Sequence, residues 1–231
     1  MPTDVLSNPY GLQSLWQSGD WIARGTLLIL VTMSMGSWYI LISRLLAQSR
    51  LLRQGKEMRT DFWQARSVTE GMSRLSANSL YRQIAQQGLQ AMAHHEGPLM
   101  EQIDRPTWVT MTLDRSVSEA QNSLQEGLTF LATVGSTAPF VGLFGTVWGI
   151  YHALTAIGIA GQASIEKVAG PVGESLIMTA MGLAVAVPAV LGYNTLVRRN
   201  RIAMDQIRAF GADLLGVLLG GSRQGSEPLE H

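Results

Sequence analysis

Residues Gly127 to Val197 read GLTFLATVGSTAPFVGLFGTVWGIYHALTAIGIAGQASIEKVAGPVGESLIMTAMGLAVAVPAVLGYNTLV. No Asp, Glu, Lys or Arg occurs between Gly127 and Ile165, and none between Ser175 and Val197. About 20 helical residues at a rise of 1.5 Å cross about 30 Å of hydrocarbon, so each run is long enough to span a bilayer. The stretch predicts two membrane-spanning helices, over 127–156 and 174–197, joined by a short loop over 157–173. One carboxylate, Glu174, stands at the mouth of the second.

Small residues pattern both helices. Gly135, Ala138, Gly142, Gly145, Gly149 and Ala153 recur every three or four positions, and so do Ser175, Thr179, Gly182, Ala186 and Ala189. Each set falls on one helical face. Lipid gives no hydrophobic drive between helices, so association rests on close backbone approach through small side chains. Gly142, Gly145, Gly149 and Gly182 are therefore expected at helix contacts. Pro139 and Pro188 each remove one backbone hydrogen bond and are expected to set helix curvature.

A third span lies upstream, over 21–46, with an uncharged core from Gly25 to Ser43. Trp21, Trp38 and Tyr39 suit interfacial anchoring. Arg44, Arg50, Arg53, Lys56 and Arg59 follow this span, and Arg198, Arg199 and Arg201 follow the last one. Lys and Arg mark the cytoplasmic side, so residues 1–20 are expected in the periplasm and the C-terminus in the cytoplasm. Residues 1–20 lack a positive n-region and do not open like a secretory signal; a short interfacial helix and a loosely ordered terminus are both open there.

Residues 47–126 are polar, with helical apolar spacing at Leu80, Ile84, Leu89 and Met92 and a break at Gly97-Pro98. Asp104-Arg105-Pro106 resembles a helix start. From there Leu113, Val117, Ala120, Leu124, Leu128 and Leu131 keep a spacing of three or four, which predicts one unbroken helix from about Thr107 into the second span. After Arg199, Ala203, Ile207, Phe210, Leu214 and Val217 continue one apolar face through the tail at 198–228, with an end near Gly220-Gly221. The fold class expected is all-α: an integral membrane protein with three transmembrane helices, the second and third extended far into the cytoplasm as a helical bundle. Leu229-Glu230-His231 reads as a tag remnant.

Composition removes several function classes. Among 231 residues, 17 basic and 17 acidic side chains cancel, so there is no basic excess for nucleic acid. There is no cysteine, hence no disulfide, zinc-thiolate site or cysteine nucleophile. His94-His95-Glu96 reads as a solvated loop, and His152 as an interfacial residue. The glycines of the second span lack the Gly-Lys-Ser/Thr of a phosphate loop. No metal, no cofactor and no nucleophile–base set is expected, and so no enzyme.

Glu174 is the leading site candidate, because a carboxylate in or near hydrocarbon is costly. No Lys or Arg lies within four residues of it. Two readings stand: an acid that binds and releases protons near neutral pH, and a solvated acid stabilised by a helix N-terminus. Thr146 and Thr179 lie on the small-residue faces, where a hydroxyl can both donate and accept; the alternative is a bond to the carbonyl four residues back. Thr133, Ser136, Thr137 and Ser175 extend the polar line.

The wording TVGSTAPFVGLFGTVWGI, followed by KVAGPVGESLIMTAMGLAVAVPAVLGYN, resembles the ExbB/TolQ/MotA family of proton-channel subunits, and its ExbB branch most closely. The match runs roughly from Leu124 to Arg201. The resemblance implies that Thr146 in GLFGTVWG and Thr179 in LIMTAMGL fall on the family's pore-lining threonines, and that Glu174 is functionally important. It also implies a bacterial inner-membrane motor: a homopentameric ring in the lipid bilayer, an ExbD-like single-span partner inside the pore, and a TonB-like protein that delivers the work to outer-membrane nutrient uptake. The smooth Gly/Ala faces would then line the pore. A TolQ-like subunit of the Tol-Pal envelope system is the alternative within the family, and a non-conducting membrane scaffold the alternative outside it. The family often carries Glu-Ala-Leu where this chain has Glu174-Ser175-Leu176. Flagellar stators of the family have four spans against the three read here.

Overall fold

A computed structural model describes residues 20–93, 103–160 and 165–223. The N-terminal segment, Gly97-Pro98, His94-His95-Glu96 and the tag remnant lie outside these residues. The described residues are all-helical: α1 (Trp21–Glu57), a π-helical turn (Met58–Phe62), α2 (Val68–Arg74), α3 (Leu80–Ala93), α4 (Arg105–Gln125), α5 (Leu128–Ala160) and α6 (Ile165–Arg223). Three helical stretches are long and apolar enough to cross a membrane.

Two expectations need correction. The helix entering the second span is not continuous: α4 stops at Gln125 and α5 starts at Leu128. Gly127 has φ 79°, a conformation that residues with a Cβ rarely adopt, and it interrupts the helix there. The loop expected over 157–173 is also largely helical. α5 runs through Ala160, α6 begins at Ile165, and Pro171 sits inside α6 rather than ahead of it. Proline lacks an N–H and so removes one bond from a helix, which the bonds on either side can outlast.

The chain forms two compact units, one holding Gly127–Thr195 with the described residues up to Ile42, the other Ser43–Glu126 with the chain from Leu196 onward. In the first, Leu30, Val134, Ala138, Ala186 and Ala189 form the buried centre. Large apolar side chains point outward from each helix, among them Tyr39, Phe140, Phe144, Leu183 and Leu191. That inversion of the water-soluble pattern suits helices whose outer faces meet lipid or other helices.

The second unit has the opposite pattern. Its core holds Leu51, Met58, Phe62, Tyr81, Ile84, Val109, Leu113, Ile207, Phe210 and Leu214. The expected apolar faces of α3, α4 and α6 supply most of it, with one shift: Val217 is exposed and Leu218 is buried instead. The π-helical turn adds a residue to the helical repeat and carries Phe62 into the core, where its ring meets Phe210 edge-on at 5.1 Å. α4 starts at the expected place: the Asp104 side chain accepts from the Thr107 N–H at 3.2 Å, and Pro106 occupies the first turn.

Candidate functional site: a hydroxyl pair between α5 and α6

α5 and α6 approach to backbone distance within the first unit. A Cβ added to Gly142 would lie 2.5 Å from the Met178 carbonyl oxygen and 3.0 Å from the Gly182 Cα. One added to Gly182 would lie 2.6 Å from the Ala138 carbonyl oxygen. Gly149 abuts Ser175 in the same way, and Gly145 faces both Met178 of α6 and Thr26 of α1. The small-residue faces thus meet inside one chain. They are spent on this contact, so the expectation that they line an open conduit does not hold for the glycines of this seam.

Thr146 is held in the seam and is buried. Its Oγ1 lies 2.6 Å from Thr179 Oγ1 and 2.8 Å from the Ser175 carbonyl oxygen, with its own Gly142 carbonyl at 3.2 Å. One hydroxyl carries one proton. Two carbonyls compete for it, and the Ser175 carbonyl is the nearer, so Thr146 donates across the seam and Thr179 donates to Thr146. Ser175 is buried as well, its hydroxyl donating to the Pro171 carbonyl at 2.7 Å. Thr179 is half-buried and forms the accessible end of the pair. Thr146 Oγ1 thus lies within reach of its own helix and of a second hydroxyl together.

Glu174 is half-buried, one residue ahead of Ser175 and so about 100° round the helix from the Ser175–Thr179 edge. Thr133, Ser136 and Thr137 are exposed and each donates within α5, at 2.8, 3.0 and 2.7 Å. The structure does not join them to the Thr146 pair. Pro139 and Pro188 are half-buried inside continuous helices, and Pro188 packs beside Ser34, Ser37, Trp38 and Leu41 of α1. His152 is mainly exposed, its Nδ1 3.7 Å from the Asp20 carboxylate, which also accepts from the Trp21 N–H as the cap of α1. Among the described residues no group of three or more His, Asp or Glu is placed to hold a metal.

Sequence reading missed one buried polar lock. In the second unit the Gln48 amide donates to the Leu196 carbonyl at 3.0 Å and to the Asn200 side chain, which in turn donates to the Leu124 carbonyl. The signal was present: Gln48 and Asn200 each stand a few residues beyond the end of an apolar run.

A family model described as the MotA/TolQ/ExbB proton channel family matches residues 76–209. The chain belongs to this family. It is 41% identical over 215 residues to the Biopolymer transport protein ExbB of Xanthomonas campestris pv. campestris, covering 89% of this chain and 85% of that protein. It is 34% identical to the ExbB of Neisseria meningitidis over 208 residues, 88% of this chain and 94% of the relative. The Tol-Pal system protein TolQ of Haemophilus influenzae is 35% identical over 191 residues, 80% and 83% of the two chains, and is a more distant match. The chain is thus an ExbB-type energiser subunit, and its three apolar helices and this kinship fit an inner-membrane protein.

Proposed function

We propose that several copies of this chain, five by the family's pattern, form a ring whose inner wall carries Glu174 and the Thr146–Thr179 pair along a proton path. The N-terminus lies in the periplasm and the C-terminus in the cytoplasm. An ExbD-like single-span protein occupies the ring and a TonB-like protein takes up the work, which powers nutrient uptake across the outer membrane. The reading is carried by the hydroxyl pair. Two threonines sharing one hydrogen bond inside an apolar seam can accept on one side and donate on the other, and half-buried Thr179 gives that pair an outlet. The Glu174 carboxylate, about 100° round the helix, supplies a group that can bind the proton outright.

The test is Glu174→Ala in cells whose iron-complex uptake depends on this system. Uptake is lost while the ring still assembles, as read by native mass spectrometry of the purified complex with its coexpressed neighbours. Normal uptake in that variant supports a scaffold without ion flux. Copurification of TolR- and TolA-like proteins in place of ExbD- and TonB-like ones moves the chain to the envelope system.

A further inference from the structure

Ser37 lies in the first unit where α1 meets α6. It is 5% exposed, and its hydroxyl has no hydrogen-bond partner among the described residues. Other hydroxyls of α1 are satisfied within their own helix: Thr26, Thr32 and Ser49 donate to the carbonyl four residues back, at 2.9, 2.8 and 2.7 Å. Ser37 does not bond the Met33 carbonyl in this way. Its side chain lines a small cavity of about 10 Å³ instead, with Ser34 and Trp38 of α1 and with Val185, Pro188 and Ala189 of α6.

The far wall of that cavity has the complementary need. Pro188 stands inside α6 and has no N–H, so the Ala184 carbonyl four residues back loses its regular donor. A helical carbonyl points along the axis toward the residue that would bond it, which sets the Ala184 oxygen beside the Pro188 ring. Both helices are apolar enough here to cross a bilayer. In hydrocarbon an unsatisfied polar group costs several kcal/mol, and spans tolerate proline where a side chain or an ordered water satisfies the freed carbonyl. A buried water occupies about 10–15 Å³ of such space and takes two to four polar partners. The described lining residues carry no charge that would hold an ion.

We propose that this cavity binds one water molecule, which accepts from the Ser37 hydroxyl and donates to the Ala184 carbonyl. Half-buried Ser34 offers its hydroxyl oxygen as an acceptor for the second water proton. α1 thereby replaces, through the water, the bond that Pro188 removes from α6. The inference concerns the contact of α1 with α6 within one chain and is independent of any ring or proton path.

The experiment is a double-mutant cycle on the purified oligomer, read as melting temperature, together with a cryo-electron microscopy map of the lipid-embedded oligomer. Ser37→Ala lowers the melting temperature by about 2–4 °C, the shift that one lost hydrogen bond gives in a chain of this size. In the Pro188→Ala background the same substitution leaves it unchanged or raises it, because position 188 then supplies its own N–H to the Ala184 carbonyl. The map, sharp enough to show waters elsewhere in the protein, carries a peak about 2.7–3.2 Å from both Ser37 Oγ and the Ala184 oxygen. That peak decides the matter by itself if Pro188→Ala does not assemble. Equal losses from Ser37→Ala in the two backgrounds, a lipid tail in the cavity, or no peak there overturns the proposal.

Discussion

Gly142 of α5 and Gly182 of α6 face one another so closely that a methyl group on either would strike the backbone of the other helix. Overpacking a tight interior costs about 1–3 kcal/mol. Gly142→Ala and Gly182→Ala should each lower the melting temperature of the purified protein in detergent. Gly158, also in α5, has nothing within 4 Å of an added Cβ, so Gly158→Ala should be neutral or slightly stabilising, by at most about 1 kcal/mol. Equal melting temperatures for all three variants would contradict the contact.

Thr146 and Thr179 separate a structural role from a functional one. Thr146→Val removes the donor to the Ser175 carbonyl and the acceptor for Thr179, leaving buried polar groups unsatisfied at a cost of about 1–3 kcal/mol. Thr179→Val removes the accessible end and should be milder in stability. Under the proposed function it is no milder in flux: proton conduction in vesicles containing the partner should fall about tenfold or more, the rate equivalent of about 1.4 kcal/mol. Thr179→Ser, which keeps the hydroxyl, should restore conduction. If Thr179→Val conducts normally, the pair only packs.

Tyr81 gives the second unit an alkaline weak point. Burial pushes its phenol above the ordinary value of 10.0, with Arg59 pulling the other way to a smaller extent. Below pH 10 the folded and unfolded chains both hold this proton, and nothing is lost. Above it the unfolded chain releases the proton while the folded one retains it, so stability falls as pH rises toward the raised folded value. The Tyr81 hydroxyl is also buried without a hydrogen-bond partner. Tyr81→Phe should therefore keep or raise stability at neutral pH and flatten the alkaline decline, as read from melting curves across pH 8–11, chosen to bracket the ordinary tyrosine value of about 10.

Acid should loosen α2. Ser67 accepts from the Glu70 N–H at 3.2 Å, Glu70 accepts from the Arg66 N–H at 3.0 Å, and Arg74 reaches Glu70 at 2.6 Å. The Arg66 backbone N–H first, and then the Arg74 side chain, hold the Glu70 carboxyl below its ordinary 4.5. The stabilisation is present above that value and is lost as pH falls through the lower folded one. Hydrogen exchange in α2 should quicken in that acid range for the unaltered chain, whereas Glu70→Gln should exchange fast already at neutral pH. Ser67→Ala should cost about 1 kcal/mol as a lost cap.

The parts of this protein that were legible in its sequence are those fixed by long apolar runs. Three charge-free stretches gave the spans, and the three-to-four spacing of Ile207, Phe210 and Leu214 gave the buried face of α6 in the second unit. Single-residue events were harder to read. Gly127 looked like one more small residue at the head of a span, because its positive φ has no signature beyond the glycine itself. Pro171 fell within the loop read over 157–173, yet six residues of helix already stand behind it. At the candidate site, residue types were legible and their pairing was not. Spacing put Thr146 and Thr179 on the small-residue faces, but only the depth at which α5 meets α6 makes them partners. The same spacing could not tell that the glycines would be covered by the chain itself.

The bare-backbone contact at Gly142 and Gly182 limits how this protein can move. Main chain lies against main chain there, so shifting one helix along the other by a residue would drive a side chain into a peptide group. The two helices consequently travel together as a single stave where they meet, and under the proposed ring any working stroke falls at the joints between copies.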